Sequence, residues 1–337
     1  MPPRGLQSWS DISRRYTHYL ILGNGASIAF DARFRYTSLV DQAKIYGFIT
    51  NRIKRLFNVF GTDDFEAILR HVSDARLVNQ ELGVQDKKTS AAQGIVRQAL
   101  IQAIHHTHPP HTEVASKFPD FSTFIAHFHT IVSLNYDLLL YWAHMFANED
   151  QTDVRFKDCF PNGRFREDWR SLRKPIKPSK RSVLVFYPHG NLVLAADDSG
   201  HERKIVVDSS LGLLSEIVAK WQNSGWRPLF VSEGSSQSKL ATIYQSRYLT
   251  TVLEDVLPDA SPSVAVFGWS FRNEDDHILD ALLTAQPRRV AVSVLSSKPC
   301  WRAFRDRVRS KIKEHSARGH IPEIEFFDTL SVPFAHP

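Results

Sequence analysis

Six short apolar runs rich in β-branched residues punctuate the chain: Tyr19–Leu22, Ile131–Leu134, Val183–Tyr187, Pro228–Ser232, Val264–Gly268 and Val290–Leu295. Each ends near Gly, Ser, Asn or Asp, and Ile324–Phe327 is a candidate seventh. Near-continuous apolar runs of this length are the pattern of strands covered on both faces. Between them lie helical patterns over Asp137–Phe146, Leu211–Gln222, Ala241–Leu257 and Asp275–Ala285. The alternation predicts an α/β fold, a Rossmann-like parallel sheet of about six strands. Residues 41–118 read as amphipathic helices without a convincing strand, so a helical subdomain is expected there, inserted between 17–40 and 119–330 of the main domain. Residues 148–180 are polar and basic, with Pro161, Pro175 and Pro178, and read as a loop-rich excursion.

Composition narrows the class. Of 337 residues, 42% are apolar and 23% charged, which is ordinary for a soluble globular protein. No stretch approaches 18 uncharged apolar residues, and Met1-Pro2-Pro3-Arg4-Gly5 opens no signal-peptide pattern, so a cytoplasmic protein without membrane contact is expected. Two cysteines, Cys159 and Cys300, can build neither a disulfide framework nor a four-thiolate zinc site. The net charge of +6 permits anionic ligands or nucleic acid and selects neither. Its basic residues gather in Arg164–Arg181 and Arg302–Lys313, which read first as solvated faces and second as nucleic-acid or partner contacts.

Four strand ends carry candidate chemistry. Gly23-Asn24-Gly25-Ala26-Ser27 follows the first run; its glycines allow a tight turn and close approach to a phosphate, although Ile28 stands where a dinucleotide fingerprint has its third glycine. Asn135 and Asp137 follow the second run, where ligands of open α/β sheets bind, with helix capping as the plainer reading. His189, before Gly190, ends the third and is suited to titrate near neutrality, though packed histidines are common. Gly268 and Ser270 follow a later run, ahead of the acidic Asn273-Glu274-Asp275-Asp276. Asp64-Phe65-Glu66 reads as an acidic helix start, and His105, His106, His108 and His111 crowd a Pro-containing loop at no metal-ligand spacing.

Taken in order, Gly23-Asn24-Gly25-Ala26-Ser27, Leu134-Asn135-Tyr136-Asp137, His189-Gly190 and Gly268-Trp269-Ser270 resemble the sirtuin-like NAD-binding family over residues 18–297. Val231-Ser232-Glu233-Gly234, Lys239 and Tyr248-Leu249 are similar to its zinc-less bacterial branch. The chain departs from the family's deacetylases in having no cysteine between His189 and Gly268, and Leu134 in place of the family's Gln. The resemblance implies hydrolysis of NAD, as substrate, to nicotinamide and ADP-ribose in antiphage defence. It also implies a homo-oligomer and a hexameric HerA-type ATPase as partner. By the same resemblance Asn135 and His189 are the catalytic residues, with Asn135 holding the attacking water or the ribose hydroxyls. His189 accepts a proton, as a base of unperturbed pKa about 6.5 can at neutral pH. Gly23, Asn24, Gly25 and Ser27 hold the pyrophosphate, Gly268 and Ser270 the adenosine ribose, and Asp137 orients Asn135 or the loop. A zinc-independent deacylase, a non-catalytic sensor of NAD or ADP-ribose and a nucleic-acid-binding protein are the rival readings.

Overall fold

The computed structural model describes residues 5–35, 39–62, 65–150, 153–197, 199–206, 212–223, 226–231, 235–317 and 319–335. Among the described residues ten strands form two sheets: β1 Tyr19–Leu22, β2 Thr130–Ser133, β3 Val154–Lys157, β4 Arg181–Phe186, β5 Gly190–Ala196, β6 Glu202–Lys204, β7 Arg227–Phe230, β8 Ser263–Phe267, β9 Arg289–Val294 and β10 Glu323–Asp328. The main sheet has seven strands in the order β10-β9-β8-β1-β2-β4-β3, and every pairing in it is parallel. β1 lies in the middle, with Leu20 opposite Ile131 on one side and Ala265 on the other. All four residues of β1 are buried, as a central strand covered on both faces requires. The sheet is the Rossmann-like α/β architecture that the hydrophobic runs predict.

Three local expectations are corrected. The run at Pro228 belongs to a separate antiparallel sheet, β6-β5-β7, so its apolar residues mark a buried edge and not a parallel strand; Ser232 falls outside the described residues. The excursion at 148–180 contains β3, the outer strand beside β4. Its sequence Val-Arg-Phe-Lys buries only Phe156, so it lacks the continuous apolar signature. The single helix expected over Ala241–Leu257 is broken: one helix spans Ser236–Ile243 and the next spans Arg247–Thr251. Ser246 separates them by capping the second, accepting the Leu249 N–H at 3.0 Å.

Residues 41–118 are helical where described, with helices Leu39–Ile45, Asn51–Phe60, Phe65–Glu81, Lys87–Thr107 and His111–Val114. Their buried residues, among them Val40, Ile53, Phe65, Val96 and Leu100, join the same hydrophobic cluster as the sheet. Asp64 lies outside the described residues. His105 and His106 close the long helix and do not lie in a loop. No helix among the described residues is long and apolar enough to cross a membrane. The basic stretch does structural work at the amino ends of the strands. Arg173 donates to Thr130 Oγ1 at 3.0 Å and to Asp259, and Arg181 donates to the Phe128 carbonyl at 2.8 Å.

Candidate functional site

In the sheet order, the chain leaves β1 toward β2 on one side and leaves β8 toward β9 on the other. The carboxyl ends of β1 and β8 therefore flank a topological switch point, where open α/β sheets bind ligands. The two turns that follow these strands are fused at their backbones. Gly25 N–H donates to the Gly268 carbonyl at 2.8 Å, and Gly23 N–H to the Phe267 carbonyl at 2.9 Å. A Cβ on Gly25 would stand 2.6 Å from Gly268 Cα, and one on Gly268 would stand 2.5 Å from Ala26 N. Gly268 also has φ 71°, in the left-handed region. These glycines are thus required by the approach of one turn to the other. Asn24 is exposed, and its amide donates to the Phe34 carbonyl at 3.1 Å.

β2 brings Asn135 and Asp137 to the same joint. Asn135 Nδ2 donates to the Gly23 carbonyl at 3.0 Å and to Ser27 Oγ at 2.9 Å. Ser27 Oγ in turn donates to Asp137 Oδ2 at 2.5 Å, and Asp137 Oδ1 accepts the Leu139 N–H at 2.9 Å. A carbonyl can only accept, so Gly23 fixes which end of the Asn135 amide is nitrogen. Its Oδ1 is left as an acceptor with no hydrogen-bond partner among the described residues. Burial pushes the Asp137 carboxyl up to about 6, against the opposing bonds from Ser27 and Leu139. Asn191 and His108, which the motifs do not single out, complete the support. Asn191 Nδ2 donates to the Asp137 carbonyl at 2.6 Å, and His108 Nε2 accepts the Leu138 N–H at 3.0 Å. The cavity lined by Ala26, Ser27, Phe30, Asn135, Asp137 and Leu139 measures about 10 Å³, at most one water.

His189 sits at the corner where β4 hands the chain to β5. Gly190 makes the corner: its φ is 73°, and a Cβ there would meet the Leu229 carbonyl at 2.0 Å. The His189 carbonyl accepts Val231 N–H at 2.7 Å, tying the corner to the end of β7. The ring is buried, and its Nε2 lies 2.9 Å from His277 Nε2. Burial holds the His189 imidazole well below its ordinary value, and the nearby Lys239 charge acts the same way, so the ring is neutral at pH 7. His277, likewise depressed by burial to about 4, places Nδ1 3.0 Å from Ser236 Oγ. Beside the pair, Lys239 Nζ bonds Asp275 Oδ1 at 2.7 Å, and Trp269 Nε1 bonds Asp275 Oδ2 at 3.2 Å. Burial alone would raise the Asp275 carboxyl; the cationic surroundings reverse this and hold it below the usual carboxylate range.

The structure therefore joins Gly23, Gly25, Ser27, Asn135, Asp137 and Gly268 in one constellation, while the His189 ring pairs with His277. His189 does not line the cavity beside Asn135. Ser270 is exposed at the rim, where its carbonyl accepts from Arg307 at 3.0 Å. Next to it Phe271 holds φ 52° while stacking on Trp269 at 4.2 Å, a left-handed bulky residue of the kind that gathers near functional sites. Sequence reading missed Ser236 and His277, which follow no strand end of the main sheet. A second, open hollow of about 490 Å³ lies away from this chemistry, between Phe48, Gln98, Ile101, His105 and Val218.

No curated protein matches the chain. The family model described as a domain of unknown function (DUF4917) matches residues 20–333 of the 337. With nearly its whole length covered, the chain belongs to the DUF4917 family.

Proposed function

We propose that the chain is an NAD glycohydrolase that cleaves NAD to nicotinamide and ADP-ribose, with Asn135 and His189 at its centre. One observation carries the reading: Asn135 is locked by Gly23 and Ser27 so that Oδ1, an unspent acceptor, is presented at the switch point of the sheet. An acceptor held in advance can orient a water or a ribose hydroxyl without reorganisation at the moment of reaction. Nicotinamide leaves as a neutral ring, so C1′ gains oxocarbenium character and needs such a positioned oxygen. Asp137 acts through Ser27, holding the hydroxyl that holds Asn135. A neutral His189 has the protonation state a base requires.

A cavity of about 10 Å³ has no room for a dinucleotide, so the reading requires the lining beside Asn135 to open when substrate enters, with the Gly23 and Ser27 bonds to Asn135 kept. The roles of the glycine loop, Asn24, Gly268 and Ser270 in holding NAD, and a cytoplasmic antiphage role as a homo-oligomer with a hexameric HerA-type ATPase, belong to the same proposal. The test is incubation of the purified chain with NAD, with and without such an ATPase, and chromatography of the products. Nicotinamide and ADP-ribose in equal amounts, absent with Asn135→Ala, support the hydrolase. Tight NAD binding with no turnover under either condition would leave a sensor in its place.

A further inference from the structure

Among the described residues the His189 ring hydrogen-bonds His277, and it lies off the cavity beside Asn135, so a proton has no direct path to it. The route is supplied by its neighbours. In the tautomer in which His189 accepts at Nε2, His277 donates from its Nε2 and accepts at Nδ1. The donor to that Nδ1 is the Ser236 hydroxyl at 3.0 Å, whose oxygen is held by the His277 N–H at 3.1 Å. Each bond direction fixes the next. The cap of the helix Ser236–Ile243 is provided by Ser235, which accepts the Ser238 N–H at 3.2 Å, so the Ser236 side chain is not needed for it.

We propose that Ser236, His277 and His189 form a proton relay, with Ser236 as the catalytic end that meets the substrate's proton. Ser236 suits that end because it is half-buried, while the two rings are fully buried. The proposal rests on the NAD reading and gives it a proton path. The attacking water gives one proton to Ser236 Oγ as Ser236 passes its own to His277 Nδ1. His277 passes its Nε2 proton to His189 Nε2. The water oxygen bonds C1′, the C1′–nitrogen bond breaks, and its electron pair leaves with nicotinamide. The positive charge of the bound nicotinamide ring thus ends on the His189 imidazolium, whose Nε2 is 4.0 Å from Asp275 Oδ1. The charged groups around His277 are Lys239 from the helix it faces and Asp275, Asp276 and Asp280 from its own segment.

The experiment uses the full chain in two measurements. With histidine labelled by ¹⁵N, His277 at pH 7 should carry its proton on Nε2 and His189 on Nδ1, and Ser236→Ala should perturb the His277 signals. In initial rates of nicotinamide release, Ser236→Ala and His277→Gln should each lower kcat by about 10²-fold or more with KM within about threefold. Ser236→Thr should restore kcat, and Ser235→Ala, which removes only the cap, should keep it. Ser236→Ala with unchanged kcat, equal losses from Ser235→Ala, or a proton on His277 Nδ1 would overturn the relay. Should His277→Gln fail to fold, the three serine variants decide alone. The assigned protons in a wild-type chain that releases no nicotinamide would uphold the hydrogen-bonded chain and sink the NAD reading instead.

Discussion

The two halves of the site are built by different means. The Asn135 half rests chiefly on backbone: the Gly23 carbonyl accepts from Asn135, the Gly25 N–H donates to the Gly268 carbonyl, and the two glycines pressed together fix the joint. The His189 half is held by side chains from three separate segments, Ser236 and Lys239, Asp275 and His277, and His189 itself. The first geometry rests on the protonation states of Asp137 and of His108, whose Nε2 must be free to accept the Leu138 N–H. The second exists only while both imidazoles are neutral and Asp275 is ionised. The comparison teaches that position at this site is set by close packing and proton traffic by buried charge balance.

The sharpest way to break the first half is Gly268→Ala. Left-handed φ costs a Cβ about 1–2 kcal/mol, and the clash with Ala26 N adds roughly 1–3 more. A loss of about 4 kcal/mol in urea unfolding is expected, whereas Gly200→Ala, with φ 79° and open space, should lose about 1–2. Equal losses at the two positions would show that the joint is loose.

The fold around both halves should weaken in acid. His108, His144 and His277 are all lowered to about 4 by burial, so the stability they contribute is complete above 6.5 and is lost as pH falls through 4. Each is worth up to about 3 kcal/mol across that window. Asp137 works in the opposite sense: raised to about 6, it favours the fold in acid and withdraws that support as pH rises through 6. Denaturation midpoints measured from pH 7.5 to 4 should fall, and His108→Gln should flatten the curve. A flat wild-type curve would contradict the burial of neutral rings.

Lys239→Met leaves the Asp275 carboxylate with Trp269 as its remaining hydrogen-bond donor and should cost about 3 kcal/mol. Its acid sensitivity should shift, because Asp275 loses the ammonium that holds it ionised; an unchanged pH profile would separate the ion pair from the histidines. The smallest effect is expected of Asn191→Ala. It removes the bond to the Asp137 carbonyl and the acceptor for the Val193 N–H, for about 1–3 kcal/mol. Nicotinamide release should fall with it if Asp137 positions Asn135, and should hold if the bond is only structural.

Sequence reading reached the backbone-built half because its parts are local. Strand, glycine and polar residue follow one another at Leu22–Ser27, strand and polar residues at Ser133–Asp137, and a buried strand announces itself by an unbroken apolar run. β3 escaped because an edge strand of alternating Val, Arg, Phe and Lys has a loop's polarity. The side-chain-built half escaped for another reason. Ser236 and His277 carry no motif, and their meeting depends on the helix Ser236–Ile243 packing against the helix Asp276–Thr284, which no spacing along the chain encodes. His108 was read as one of a loop cluster, yet only the fold turns its ring onto the Leu138 N–H.

The central claim is that Asn135 and His189 serve one chemical step. The direct measurement is the initial rate of nicotinamide release from NAD by the wild-type chain, Asn135→Ala, His189→Ala and the double variant. The account predicts release by the wild type and a loss of about 10²–10⁴-fold in each single variant, with the fold retained. It predicts a double variant no slower than the worse single one, because removing either member already stops the step. Near-normal turnover by His189→Ala, or losses that multiply in the double variant, would contradict it.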